Sequence, residues 1–291
     1  MNKLKGIILS GGSGTRLSPV TRVLSKQMLL IYDKPMIYYP LSTLIESGIT
    51  EILIISTPRD IKMFETLLGD GKDLGLKLYY EVQPQPKGLA QALIIAEKFL
   101  DGSPSVLILG DNLFFGNQLT DFISNNLYFN NGAQIFSLSV HDPERYGVIE
   151  ISNKGNILSL EEKPKLPKSN YVITGIYLYD NQASQYAKTL KPSRRGELEI
   201  TDLNLIYFKN NNLRVKLLNR GQSWLDTGTY DSLLEAGNFV QILEKRQGFK
   251  IGCIEEASWR KKNITDNQLK SIIKKQKNSI YGNYLSNLLK D

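Results

Sequence analysis

Short unbroken apolar runs and stretches of helical spacing take turns along the first half of the chain. The runs cover residues 7–9, 51–56, 77–83, 106–110 and 133–140, and the helical stretches cover 41–46, 61–68, 88–100 and 119–127. Apolar runs bounded by turn residues predict buried strands, and the 3.6-residue repeats between them predict helices. Their alternation predicts an α/β fold with a Rossmann-like, mainly parallel sheet flanked by helices.

The pattern changes beyond residue 147. Val148–Ile151 and 157–160 flank Asn153-Lys-Gly-Asn156, a hairpin signal, and a third strand is expected over Tyr171–Tyr179. These strands predict a smaller antiparallel layer laid against the first sheet, with room for a second substrate. Helices return at 199–209 and 230–247. A capping box, Thr265-x-x-Gln268, then opens a helix that carries Leu269, Ile272 and Ile273 on one side. The expected organisation is a core unit over residues 1–247 and a helical extension over 248–291.

Charge changes this picture little. The formal charge is +7, but eight of the basic residues and only two acidic ones lie between Arg260 and Asp291. The rest of the chain is close to neutral, and the lysines of the extension fit the solvated side of its helix. A basic surface that reads nucleic acid carries aromatic or base-reading residues along it, so no nucleic-acid partner is expected. The chain has no apolar stretch of membrane-spanning length and no leader pattern. One cysteine, Cys253, and one histidine, His141, exclude an intramolecular disulfide and a histidine-cluster metal site. A cytoplasmic protein is expected.

Candidate chemistry begins where the first strand ends. Gly11, Gly12 and Gly14 permit a sharp turn and bring bare N–H groups close to a ligand, and Arg16 adds a fixed positive charge. The loop is not a P-loop, which ends Gly-Lys-Ser/Thr. It is not a dinucleotide fingerprint either, because no third glycine arrives and the next strand ends without an acid. Asp111 follows the strand at 106–110, and Asp226 lies in Ser223-Trp-Leu-Asp-Thr-Gly228. Each alone can be a turn or helix cap. Together they suit a shared Mg²⁺, which takes one or two carboxylates plus phosphate oxygens. Arg16, Lys26 and Lys163 are the cations beside predicted loops. A glycine nest, separated cations and paired acids are what nucleotidyl transfer requires, and no protein nucleophile is needed when a phosphate monoester attacks.

Several segments carry a specific resemblance. They are Gly11-Gly-Ser-Gly-Thr-Arg-Leu-x-Pro19 with Lys26, Gly88-Leu-Ala-Gln-Ala92, Gly110-Asp-Asn112, Glu161-Glu-Lys-Pro164 and Trp224-Leu-Asp-Thr-Gly228. In these the chain resembles the sugar-phosphate nucleotidyltransferases. Tyr32–Ser42, Asp142-Pro-Glu-Arg-Tyr-Gly147 and Arg195–Asp202 resemble the glucose-1-phosphate thymidylyltransferase branch of that family. The resemblance implies Mg²⁺-dependent conversion of dTTP and glucose 1-phosphate to dTDP-glucose and pyrophosphate, the entry to dTDP-rhamnose and related deoxysugars. It implies that Gly11, Gly14, Thr15, Arg16, Lys26 and Gln27 hold the triphosphate, with Arg16 on the leaving pyrophosphate. Gln83 and the backbone at Gly88 would read the pyrimidine. Asn112, Tyr146, Gly147, Glu162, Lys163 and Ile173 would hold the sugar phosphate, and Asp111 and Asp226 the metal.

The resemblance further implies a homotetramer with a regulatory site for an effector nucleotide sugar, at Phe115, Gly116, Arg220, Glu256 and Arg260. Two departures stand out: Leu30 replaces a usual proline, and Phe115 replaces a frequent tyrosine. The alternatives are a UTP-dependent or other sugar-1-phosphate nucleotidyltransferase and an inactive sugar-nucleotide sensor. The second predicts loss of a cation or metal acid, and all of these are present.

Overall fold

The computed structural model describes residues 2–12 and 14–290, so Met1, Asp291 and Ser13 of the glycine loop lie outside the described residues. The strands are β1 (Lys5–Ser10), β2 (Leu30–Ile31), β3 (Lys34–Pro35), β4 (Glu51–Ser56), β5 (Lys77–Val82), β6 (Ser105–Leu109) and β7 (Asn112–Phe115). They continue with β8 (Ala133–Ser139), β9 (Gly147–Ile151), β10 (Ile157–Glu162), β11 (Tyr171–Tyr179), β12 (Leu213–Leu217) and β13 (Ser223–Asp226).

Nine strands share one sheet. At its heart β5, β4, β1 and β6 run parallel, in that spatial order, with helices in the crossovers. Both faces are covered, which is why β1 and β4 read as unbroken apolar runs. Ile8, Ile54 and Ile108 face helix Tyr38–Glu46, whereas Ile7, Leu53 and Leu107 face the opposite core with Leu93, Leu203 and Tyr207. The helix expected over 88–100 begins only at Gln91 and is divided into Gln91–Ile95 and Glu97–Leu100. Gly88 has φ +102°, outside the helical region, and its backbone is packed against Leu198.

The antiparallel strands form as expected but join the parallel ones edge to edge. Along β11, Ile176–Tyr179 pair with β6, Val172 pairs with β9, and β8 runs beside both ends. One long strand therefore carries the sheet from its parallel half to the β9–β10 hairpin. The β7–β13 ribbon lies at the exit of β6, and the small β2–β3 hairpin carries the exposed Leu30.

The C-terminal capping box is present: Thr265 Oγ1 accepts from the Gln268 N–H, and Gln268 Oε1 accepts from the Thr265 N–H. Helices Ile254–Arg260, Asp266–Lys275 and Ile280–Leu288 close around Cys253, Leu269, Ile272 and Leu285. Among the described residues no helix is long and apolar enough to cross a membrane.

Candidate active site

The carboxyl ends of β1, β5 and β6 open into a cleft of about 590 Å³. Gly14, in the left-handed conformation at φ +59°, turns the chain out of the loop after β1 into a short turn, Thr15–Leu17. Thr21 Oγ1 donates to the Gly14 carbonyl at 2.8 Å and holds that turn in place. Arg16 lies over Gly228, where even a methyl group would stand 3.4 Å from its guanidinium nitrogens.

Two acids meet through the β7–β13 ribbon. Asp111 follows β6 and Asn112 opens β7, while the ribbon's register sets Asp226 opposite Asn112. Thr227 ties the ends together, its Oγ1 donating to the Asp111 carbonyl at 2.8 Å. Lys26, only 8% exposed, donates to Asp111 Oδ2 at 2.5 Å. Burial would raise the Asp111 carboxyl, but the charge and hydrogen bond of Lys26 hold it below the ordinary carboxylate value. Asp226 moves the other way. Burial and then the Asp111 charge raise it, against Lys26, Arg16 and Arg145.

The pair is thus short of positive charge on its Asp226 side. Among the described residues no group of three or more His, Cys, Asp or Glu could hold a metal. Two carboxylates beside the glycine loop nevertheless fit a hard divalent ion, which takes one or two carboxylates and completes its shell with phosphate and water oxygens.

The opposite side of the cleft is built by the β9–β10 hairpin and β11. Glu162 pairs with Gly147 in the register, and its Oε2 accepts from Thr201 Oγ1 at 2.5 Å. Gly147 leaves room for that contact, because a Cβ there would stand 3.2 Å from the Thr201 oxygen. Lys163 adopts φ +46° and its N–H donates to the Tyr146 carbonyl at 3.0 Å. Lys163 Nζ and Arg195 Nη2 each stand 4.0 Å from Glu162 Oε1. Tyr146 packs edge-on against Trp224 at 5.1 Å, and Trp224 Nε1 donates to Asn112 Oδ1 at 2.5 Å. Ile173 of β11 supplies an apolar wall.

At the end of β5, Gln83 is buried against Gly11, whose own Cβ would stand 1.9 Å from Gln83 Oε1. Gly88 is likewise fixed as glycine, with Leu198 backbone atoms 2.4 Å from where a Cβ would be. Gln27 is buried beneath the floor and accepts from Ser25 Oγ at 2.9 Å.

All the residues expected at the nucleotide, metal and sugar-phosphate sites line this one cleft. The five expected at a regulatory site lie outside it. Phe115 and Gly116 end β7, Arg220 is exposed just before β13, and Glu256 pairs with Arg260 on helix Ile254–Arg260. The cleft also holds residues that were not singled out: Arg145, Arg195, Thr201 and Trp224. All four stand in segments that carry the family resemblance. That placement is the only signal the chain offers for them.

The nucleotidyl transferase family profile matches residues 5–242. A glucose-1-phosphate thymidylyltransferase of Neisseria meningitidis serogroup A / serotype 4A is 50% identical over 287 residues, spanning 99% of this chain and 100% of its own. A solved Bacillus anthracis protein with the same enzyme designation, in complex with sucrose, is 42% identical with a TM-score of 0.76, over 81% of this chain and 94% of its own. The structure of a UDP-glucose pyrophosphorylase complexed with UDP-glucose is 25% identical with a TM-score of 0.72, over 82% of this chain and 99% of its own.

Proposed function

This chain belongs to the nucleotidyl transferase family, and from that premise we propose that it is a glucose-1-phosphate thymidylyltransferase. The reaction is dTTP and α-D-glucose 1-phosphate to dTDP-glucose and pyrophosphate, the first step toward dTDP-rhamnose and related deoxysugars. One observation carries the reading: the glycine loop with Arg16 and the Glu162–Lys163 pocket open into the same cleft, with two carboxylates in it.

In this reading a phosphate oxygen of the sugar phosphate attacks the α-phosphorus. The new P–O bond forms as the bond to the β-phosphate breaks, and the electron pair leaves with pyrophosphate. Gly11, Gly14, Thr15 and Gln27 hold the triphosphate. Arg16 faces the leaving group, and Lys26, oriented by Asp111, faces the α-phosphate. Fixed donors and cations of this kind stabilise charge as it develops, without reorganisation at the moment of reaction. Lys163 and Arg195 bind the sugar phosphate and hold the attacking oxygen in line. Glu162 has one carboxylate oxygen engaged by Thr201 and offers the rest to sugar hydroxyls, while Asn112, Tyr146, Gly147 and Ile173 shape the pocket. Gln83 and the Gly88 backbone read the base.

Nucleotidyl transferases use a divalent metal, and we take it to be Mg²⁺ held by Asp111 and Asp226. Bound there, it would neutralise phosphate charge. The same proposal divides the chain into a catalytic unit, 1–247, and an extension, 248–291. It includes a cytoplasmic homotetramer with an effector site at Phe115, Gly116, Arg220, Glu256 and Arg260.

Pyrophosphate release from a matrix of dTTP, UTP, CTP, ATP and GTP against several sugar 1-phosphates tests the function. Highest kcat/KM for dTTP with glucose 1-phosphate is expected. A clear preference for another pair would sink the assignment. UTP merits particular weight because of the likeness to a UDP-glucose enzyme, and one methyl group is worth only about 1–3 kcal/mol.

A further inference from the structure

Gln91 stands behind the cleft wall, outside the set of residues that line it. Its Oε1 accepts two hydrogen bonds, from Gln83 Nε2 at 2.8 Å and from the Lys87 backbone N–H at 3.0 Å. The second of these settles the orientation of both amides. A backbone N–H can only donate, so the end of Gln91 that meets Lys87 must be its carbonyl oxygen. Gln83 must then turn its NH₂ toward that oxygen, and its own carbonyl points the other way, beside Gly11. That Gln83 oxygen is buried and has no hydrogen-bond partner among the described residues. Leaving a buried acceptor unsatisfied is costly, so it is a poor ornament and a good receptor.

The same Gln91 oxygen anchors the loop that follows Gln83. Lys87 is held on its N–H by Gln91 and on its carbonyl by the Leu198 N–H at 2.7 Å. Gly88 comes next, pressed against Leu198. One oxygen thus fixes both elements assigned to the base.

We infer that Gln91 is the positioning residue for base selection, locking Gln83 with its carbonyl oxygen free to accept from the imide N–H of thymine or uracil. Cytosine presents a lone pair at that ring nitrogen and is repelled. This deepens the proposed function and rests on it, since it takes the base to lie against Gln83.

The test compares Gln91→Met, Gln91→Leu and Gln91→Glu with the unaltered enzyme, using dTTP and dCTP with glucose 1-phosphate. Met and Leu keep an apolar filling but lose the acceptor, so a packing fault in one does not decide the result. Glu keeps an oxygen that accepts from both donors. Met and Leu are expected to raise the dTTP KM about tenfold and to reduce the dTTP-over-dCTP preference by a similar factor. The kcat and the glucose 1-phosphate KM should stay within about twofold, and Glu should recover most of the loss. Unchanged dTTP KM and preference in folded Met and Leu variants would overturn the inference. So would an equal loss toward both substrates that Glu does not rescue. If the unaltered enzyme makes no dTDP-glucose, the proposed function fails instead, so the two failures are distinguishable.

Discussion

Asp226 sits directly opposite Asn112 in the β7–β13 ribbon, and that single register pair sets it beside Asp111, the residue before Asn112. The two carboxylates are nonetheless unequal, since only Asp111 has Lys26 hydrogen-bonded to it. Asp226→Asn removes a carboxyl that burial and its neighbour already push toward the protonated form. Asp111→Asn leaves a buried lysine without its counter-charge, which typically costs about 3–5 kcal/mol. Both variants should lose Mg²⁺-dependent turnover by at least about 100-fold, the scale of losing one preorganised charge contact. Only Asp111→Asn should melt distinctly lower. Thermal melts paired with Mg²⁺ titrations of activity check this, and the reverse order of melting temperatures would refute the asymmetry.

Glycines 11 and 88 should respond to alanine in different ways. At Gly11 the added methyl meets the end of the Gln83 side chain, which must leave its bond to Gln91 to make room. At Gly88 it meets Leu198 backbone, and φ is +102°. Gly88→Ala should therefore lose about 2 kcal/mol or more of stability through backbone strain and overlap. Gly11→Ala should lose less, about 1 kcal/mol for the broken Gln83–Gln91 bond, while the dTTP KM rises. Urea unfolding and substrate titrations separate the two outcomes.

A buried ion cluster joins the β2–β3 hairpin to the C-terminal extension. Lys34, 1% exposed, bonds Asp33 and Glu244, and Lys250 bonds the same two carboxylates. Glu244 also accepts from the Ile251 N–H at 3.0 Å. Glu244→Ala removes three contacts at once from desolvated cations and backbone, and should cost about 3 kcal/mol. Cleavage by trypsin near Lys250 should accelerate. Proteolysis no faster than in the unaltered chain would show that the extension is held elsewhere.

Glu46 gives stability a pH dependence. Burial, offset by Lys261 and reinforced by Glu256, pushes its carboxyl up from 4.5 to about 7. The folded state then binds the proton more tightly than the unfolded one. Its stabilising contribution is complete below pH 4.5 and is lost as pH rises toward 7. Glu46→Gln should remove this decline and make the protein more stable by about 1–2 kcal/mol at pH 8. Chemical denaturation at pH 5 and pH 8 reads the difference directly. Equal gains at both values would point to packing instead.

The parallel strands and the residues at their ends were legible because each is signalled locally. An apolar run such as Ile7–Leu9 followed by Gly11 announces both a strand and what stands at its tip. Arg195 and Arg145 are marked only by the family segments in which they stand. Along the chain they look like any solvated cation, and only folding brings them to Glu162 and Asp226. Lys34 and Glu244 are the sharper case, since 210 positions separate them. The joining of the antiparallel strands to the main sheet was hidden for a related reason. Alternation shows that Tyr171–Tyr179 is a strand, but which neighbours it takes depends on contacts made at a distance.

The course of β11 has a mechanical consequence. Its first half borders the hairpin that carries Gly147 and Glu162, and its second half is stitched to β6, which leads to Asp111. The span between the two substrates is therefore set by one unbroken strand paired at both ends and crosses no interdomain joint. A donor and an acceptor held by one rigid frame have their separation fixed when the chain folds. Adjusting the sugar side then becomes a matter of exchanging side chains along one edge, with the reacting phosphorus left where it was.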